Sequence, residues 1–129
     1  SVTVCIDYKE NYSGMHQLFK HVNSIVTDLS LVDAVIRAEK LGVGEIMINS
    51  VDRDGIMEGL DIKNIKKIAS TIDVPLVVCG GARTIEDIRE ASEAGADAIA
   101  AGSMFVYLGK LKGVMINYPS DEELSHCLR

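Results

Sequence analysis

Several kinds of paired or clustered residue are missing from this 129-residue chain, and each absence closes off a class of function. The three cysteines, Cys5, Cys79 and Cys127, lie far apart with no C-x-x-C pair. That argues against a disulfide frame or a thiolate zinc site, and for reduced thiols in a cytoplasmic protein. His16, His21 and His126 show no ligand spacing, so no metal is expected. The sequence contains no G-x-S-x-G, no G-x-x-x-x-G-K-[ST] and no H-E-x-x-H, and nothing in it calls for a cofactor. No apolar run approaches the ~20 residues of a membrane helix, and the start "SVTVCIDYK" lacks the layout of a signal peptide. An excess of cations is missing too. With 19 acidic against 13 basic side chains the formal charge is −6, so neither a nucleic-acid backbone nor an anionic membrane is an expected partner.

What is present is the composition of a folded domain: 47% hydrophobic and 25% charged, enough for one modest core. Four short runs, "VTVCI" (2–6), "EIMI" (45–48), "VPLVV" (74–78) and "DAIAA" (97–101), are apolar throughout. They read as parallel strands buried on both faces. Between them lie helical patterns with starts and stops. Leu31, Val35 and Ala38 share a face that "LGVG" closes; Asp61 can cap the stripe Ile62, Ile65, Ile68 and Ala69. Thr84 with Asp87 forms a capping-box pattern ending at Gly95, and Ser120 with Glu123 repeats it. Alternating strands and helices predict an α/β fold with a parallel sheet and right-handed crossovers. The first connection, residues 10–29, is too long for an ordinary loop. It reads as a hairpin or lid inserted after a strand's carboxyl end, or as a tolerated surface excursion.

All four runs end in polar residues, and in parallel α/β folds the carboxyl ends of the strands converge on one face, where ligands bind. Asp7 and Lys9 follow the first. Asn49, Ser50, Asp52 and Asp54 follow the second, Gly80 and Gly81 the third, and Gly102 and Ser103 the fourth. Asp7 at a strand end suits a general acid or base supported by Lys9; a plain surface ion pair fits the same two residues. In an extended segment Asp52 and Asp54 would face the site together while Arg53 turned back to tie the loop. "GGA", with a helix opening at Thr84, would leave backbone N–H groups free for an anion such as phosphate, as would "AGS"; tight turning alone would also account for the glycines.

Taken together, "CIDYK", "NSVDRDGIMEGLD", "VPLVVCGGA" and "GADAIAAGSMF" closely resemble the carboxyl-terminal half of the cyclase subunit of imidazole glycerol phosphate synthase, from residue 2 to about residue 107. The resemblance implies a (β/α)₈ barrel of which these are strands five to eight. It implies lyase chemistry in histidine biosynthesis: ammonia from a glutaminase partner is used on a phosphorylated ribulosyl-aminoimidazole substrate, which is cleaved and cyclised. Asp7 then matches one of two catalytic aspartates, the other lying on the first strand of the barrel. Asp54, Gly55, Gly80, Gly81, Gly102 and Ser103 match positions that hold the substrate, chiefly one of its phosphates. Two departures stand out. Ile56 sits where the cyclase usually has threonine, and the tail "VYLGKLKGVMINYPSDEEL" resembles a cyclase-like protein of surface-polysaccharide loci, which helps place an acetamidino group on a sugar. The isomerase barrel of the same pathway also carries an R-D-G loop, but Lys9 and the absence of an inserted residue before "DRDG" favour the cyclase-like branch.

A whole barrel of this kind runs to ~250 residues, so residues 1–129 read as one (βα)₄ half-barrel domain. Its expected partners are a missing amino-terminal half or a second copy of itself. A non-catalytic, phosphate-binding half that serves in assembly is the third reading.

Overall fold

The computed structural model describes residues 2–20, 25–56, 58–102, 107–108, 113–114, 120–122 and 125. Strand β1 (Thr3–Glu10) is followed by β2 (His16–Lys20), β3 (Ile25–Ser30), helix α1 (Leu31–Lys40), β4 (Glu45–Ser50), α2 (Ile62–Ala69), β5 (Leu76–Cys79), α3 (Ile85–Ala94) and β6 (Ala98–Ala100). Two further two-residue strands, β7 (Tyr107–Leu108) and β8 (Gly113–Val114), pair with each other. The six-stranded sheet has the order β3-β2-β1-β4-β5-β6. Strands β1, β4, β5 and β6 run parallel, joined by helical crossovers, whereas β2 and β3 extend the β1 edge as an antiparallel hairpin. This is a mixed α/β sheet of the kind expected of part of a (β/α)₈ barrel.

The helix ends form where the sequence puts them. Ser30 caps α1 and Gly42 leaves it at φ 84. The Asp61 carboxylate accepts the Asn64 N–H at the start of α2. Thr84 and Asp87 make the full capping box of α3, which ends on Gly95 in the left-handed region. Each cap satisfies donors or acceptors that a helix end otherwise leaves unpaired.

The core lies between the sheet and the helices: Val35, Ile46 and Ile68 are 0% exposed, with Ile6, Ile48, Ile65, Leu76 and Val78 around them. Burying each such side chain contributes about 1.5–3 kcal/mol. The expectation of strands buried on both faces holds for β5, where Leu76, Val77 and Val78 are all buried, and needs correction for β1 and β4. In β1, Ile6 and Tyr8 are buried but Cys5 and Glu10 are exposed, and β4 alternates between half-buried and buried positions. Side chains alternate across a strand, and the helices cover one face only, so Cys5, Asp7 and Lys9 of β1 and Met47 and Asn49 of β4 share the other. In a barrel the face opposite the helices is the inward one. The runs are apolar on both faces, but away from the helices β1 and β4 are only partly covered, whereas Val77 of β5 is buried there too.

Candidate functional site

Strand β1 does not end at Ile6. Pairing with β2 carries it on to Glu10, so Asp7 and Lys9 sit inside the strand instead of after it. Asn49 and Ser50 likewise belong to β4. The parallel register sets Asp7 opposite Asn49, and Asn49 opposite Cys79. Along this row the Asn49 Nδ2 donates to Asp7 Oδ1 at 2.9 Å. The other end of the same amide, Oδ1, is buried and has no hydrogen-bond partner. An unpaired buried acceptor costs about 1–3 kcal/mol.

Ser50 departs from expectation. One residue on from Asn49, it points to the opposite face, is only 3% exposed and lies by the Tyr8 hydroxyl. Alternation along the strand removes it from the open face. Lys9 departs as well: its ammonium donates to Asp52 at 2.7 Å, and Asp52 also accepts the Glu10 N–H at 2.9 Å. Lys9 therefore ties the β4–α2 loop to β1, and its ion pair is with Asp52 instead of Asp7.

The loop is coiled rather than extended. The N–H groups of Arg53 and Asp54 both donate to the Ser50 carbonyl, at 3.2 and 2.9 Å. Asp54 is left exposed with Gly55 beside it, close enough to Cys79 for its charge to act on that thiol. Arg53 does turn back, donating through Nη1 to the Gly59 carbonyl at 3.2 Å.

The two glycines after β5 are buried and hold loops together. The Gly59 N–H donates to the Gly81 carbonyl at 2.9 Å, and a Cβ on Gly81 would lie 2.4 Å from the Gly59 carbonyl oxygen. On Gly80 it would lie 2.7 Å from the Ser50 carbonyl and 3.0 Å from Asn49 Oδ1. At the start of α3 the N–H groups of Arg83 and Thr84 are engaged by the Asp87 carboxylate, at 3.0 and 3.2 Å. The helix start thus carries its own anion, and these two donors, which follow the Gly80–Ala82 loop, are not open to a ligand. Gly102 is exposed beyond β6, and Ser103 lies outside the described residues.

Both described thiols on the open face are held protonated. Burial, the Asp7 charge and Cys79 push Cys5 up. Burial and Asp54 push Cys79 up, against a smaller opposing effect of the Gly80 N–H. Neither has the lowered pKa of a nucleophile. For Asp52 burial works upward, but the Glu10 N–H and Lys9 outweigh it and hold the carboxyl below its ordinary 3.8. A depressed folded value stabilises above the unfolded value and is lost as pH falls through the folded one. The stability difference between the native protein and Lys9→Met is thus expected to hold above about pH 4 and to vanish in stronger acid. With Asp52 about a third exposed, the difference stays under ~1 kcal/mol, read by urea titration at each pH.

The amino-acid patterns carry this geometry, and comparison with known proteins identifies its origin. A family model described as "Histidine biosynthesis protein" matches residues 1–112. The chain belongs to this family. Within the family it is similar to a Leptospira interrogans protein provisionally named imidazole glycerol phosphate synthase subunit HisF, 41% identical over 125 residues, covering 95% of this chain and 49% of that protein. A Pseudomonas aeruginosa protein provisionally named subunit hisF2 of the same synthase is 38% identical, covering 96% and 50%. The HisF subunit of Bifidobacterium longum is 44% identical over 81 residues, 63% of this chain and 32% of that one. The chain spans about half the length of the first two.

In this HisF-like chain one group of residues had no signal beyond helix capping. The Tyr8 hydroxyl donates to Asp61 Oδ2 at 2.9 Å, Asn64 Nδ2 donates to the same oxygen at 2.7 Å, and His16 Nε2 lies 3.9 Å away. His16 meets the Tyr8 ring edge-on at 5.7 Å. Burial and the Asp61 charge push the Tyr8 hydroxyl far up, so it stays a donor. The network fastens the hairpin, β1 and the end of the β4–α2 loop at one point. Tyr8→Phe removes a hydrogen bond to a largely buried carboxylate and is expected to cost about 1.5–3 kcal/mol, measured by chemical denaturation.

Proposed function

We propose that this chain supplies the second half of an ammonia-using cyclase of the imidazole glycerol phosphate synthase type, a lyase of histidine biosynthesis. Asp7 is its general acid and base. The observation that carries the reading is the polar row on the uncovered face: Asp7 bonded to Asn49, beneath a coiled D-R-D-G loop that Lys9, Arg53 and Gly81 hold in place. Cleaving and cyclising a substrate while incorporating a nitrogen requires protons to be taken and returned. A carboxylate fixed on a rigid strand does both. The phosphorylated ribulosyl-aminoimidazole substrate then lies across the strand ends, with Asp54, Gly55, Gly102 and Ser103 as contacts to its polar groups. Ammonia comes from a glutaminase subunit on the opposite side of the barrel. The first half of the barrel, as part of the same protein, a separate chain or a second copy, brings the other catalytic aspartate.

The names of the relatives support the cyclase reading, and their roughly doubled length supports a barrel of two halves. The test is turnover of the phosphorylated substrate by the complete barrel with ammonium salt as nitrogen source. Product formation that depends on ammonium is expected. No turnover of this substrate, with ammonia-dependent amidino transfer to a nucleotide-linked sugar instead, would transfer the assignment to the polysaccharide branch. Saturable phosphate binding without turnover of either would leave an assembly role.

A further inference from the structure

Resting on the acid–base reading of Asp7, we infer that Asn49 is its positioning residue rather than a substrate contact. The two residues are register partners on adjacent parallel strands and share the face that the helices leave uncovered. At 2.9 Å the Asn49 amide donates to one carboxylate oxygen of Asp7, fixing the rotation of the carboxyl group about its own bond. Backbone pairing on both sides of β4 holds Asn49 in place, since Asn49 is also paired with Cys79. An amide is suited to this task because it does not titrate, so it steers the carboxylate without competing for its proton. Lys9, two residues along the same strand, is committed to Asp52.

The cost of this arrangement supports the inference. Turning Nδ2 toward Asp7 turns Oδ1 into the wall beside Gly80, where it is buried without a partner. A leucine of similar size would remove that unpaired acceptor together with the donor to half-buried Asp7, and the two effects offset each other, so stability alone gives an amide little advantage here. The close approach also gives Gly80 a role: a Cβ there would stand 3.0 Å from Asn49 Oδ1 and would crowd the amide. Gly80 thus makes room for the positioning side chain, apart from any part it plays toward an anion.

The experiment compares native protein, Asn49→Leu, Asn49→Asp and Asp7→Asn in the complete barrel. Turnover of the phosphorylated ribulosyl-aminoimidazole with ammonium is followed across pH, alongside thermal unfolding. Asn49→Leu is expected to unfold near the native temperature, to keep KM within about twofold and to lose about 10- to 100-fold in kcat, the scale of a misplaced catalytic group. Asn49→Asp puts a second carboxylate beside the first, so the pair shares one proton and the pH optimum moves toward acid. A native kcat for Asn49→Leu, or a loss confined to KM, overturns the inference while Asp7→Asn remains inactive. Full activity of Asp7→Asn overturns the acid–base reading, and the positioning role with it.

Discussion

Alanine at Gly81 is expected to cost a large share of the protein's stability and to release two loops at once. Gly81 has φ 102, a region that disfavours side chains, and its added methyl would sit 2.4 Å from the Gly59 carbonyl oxygen and 3.0 Å from the Arg53 Cβ. The conformation alone costs about 1–3 kcal/mol. Forcing a methyl into filled space adds about 1–3 kcal/mol more. The contacting oxygen belongs to backbone that also accepts the Arg53 guanidinium, so it cannot move without breaking that bond. Net stabilities of domains are about 5–15 kcal/mol, so the substitution takes up much of the margin. Gly42→Ala is the control. That glycine also has positive φ, 84, but a methyl there meets nothing within 4 Å, so only the conformational cost applies. Equal denaturation midpoints for the two variants would show that the Gly59–Gly81 contact carries no weight.

The second large effect is on chemistry. Asp7→Asn in the complete barrel is expected to lower kcat by about 10²- to 10⁴-fold, the usual contribution of a general acid or base. At 1.36 kcal/mol per tenfold this is about 3–5 kcal/mol of transition-state stabilisation. The substitution keeps size and shape, so substrate affinity should change little. The hydrogen bond from Asn49 Nδ2 survives if the new amide offers its oxygen. Loss of kcat with preserved KM, in protein that unfolds at the native temperature, is the expected signature. Equal losses in kcat and thermal stability would instead place Asp7 among the structural residues.

The elements of the fold were legible because their signals are local. Thr84 three residues before Asp87, Asp61 before an apolar stripe and Gly95 after one each act within a single turn of helix. The site was legible only as a region. Asn49 and Ser50 are neighbours in sequence but face opposite ways, and the sequence alone does not say which one the helices cover. The pairing of Lys9 with Asp52 depends on a loop coiling back onto Ser50, a tertiary outcome that the sequence treated as extended. Tyr8 and Asp61 meet across 53 positions, a distance at which no spacing rule operates. The same holds for Asp87, whose capping role was visible but whose occupation of the donors before α3 was not.

The hairpin also sets how the sheet can be lengthened. β2 pairs with β1 only at Tyr8, Lys9 and Glu10, and among the described residues no strand pairs with Thr3 to Asp7 on that side. At the far side the edge is β6, three residues long. At about 3.3 Å per residue, a strand joining either edge finds a seam of roughly 10–17 Å. Ladders that short contribute few hydrogen bonds, so two halves meeting here would be held chiefly by side chains meeting across the barrel's centre. The residues that would then glue the halves are those on the face that carries Asp7, and under the proposed function closing the barrel and assembling its reaction centre would be a single event.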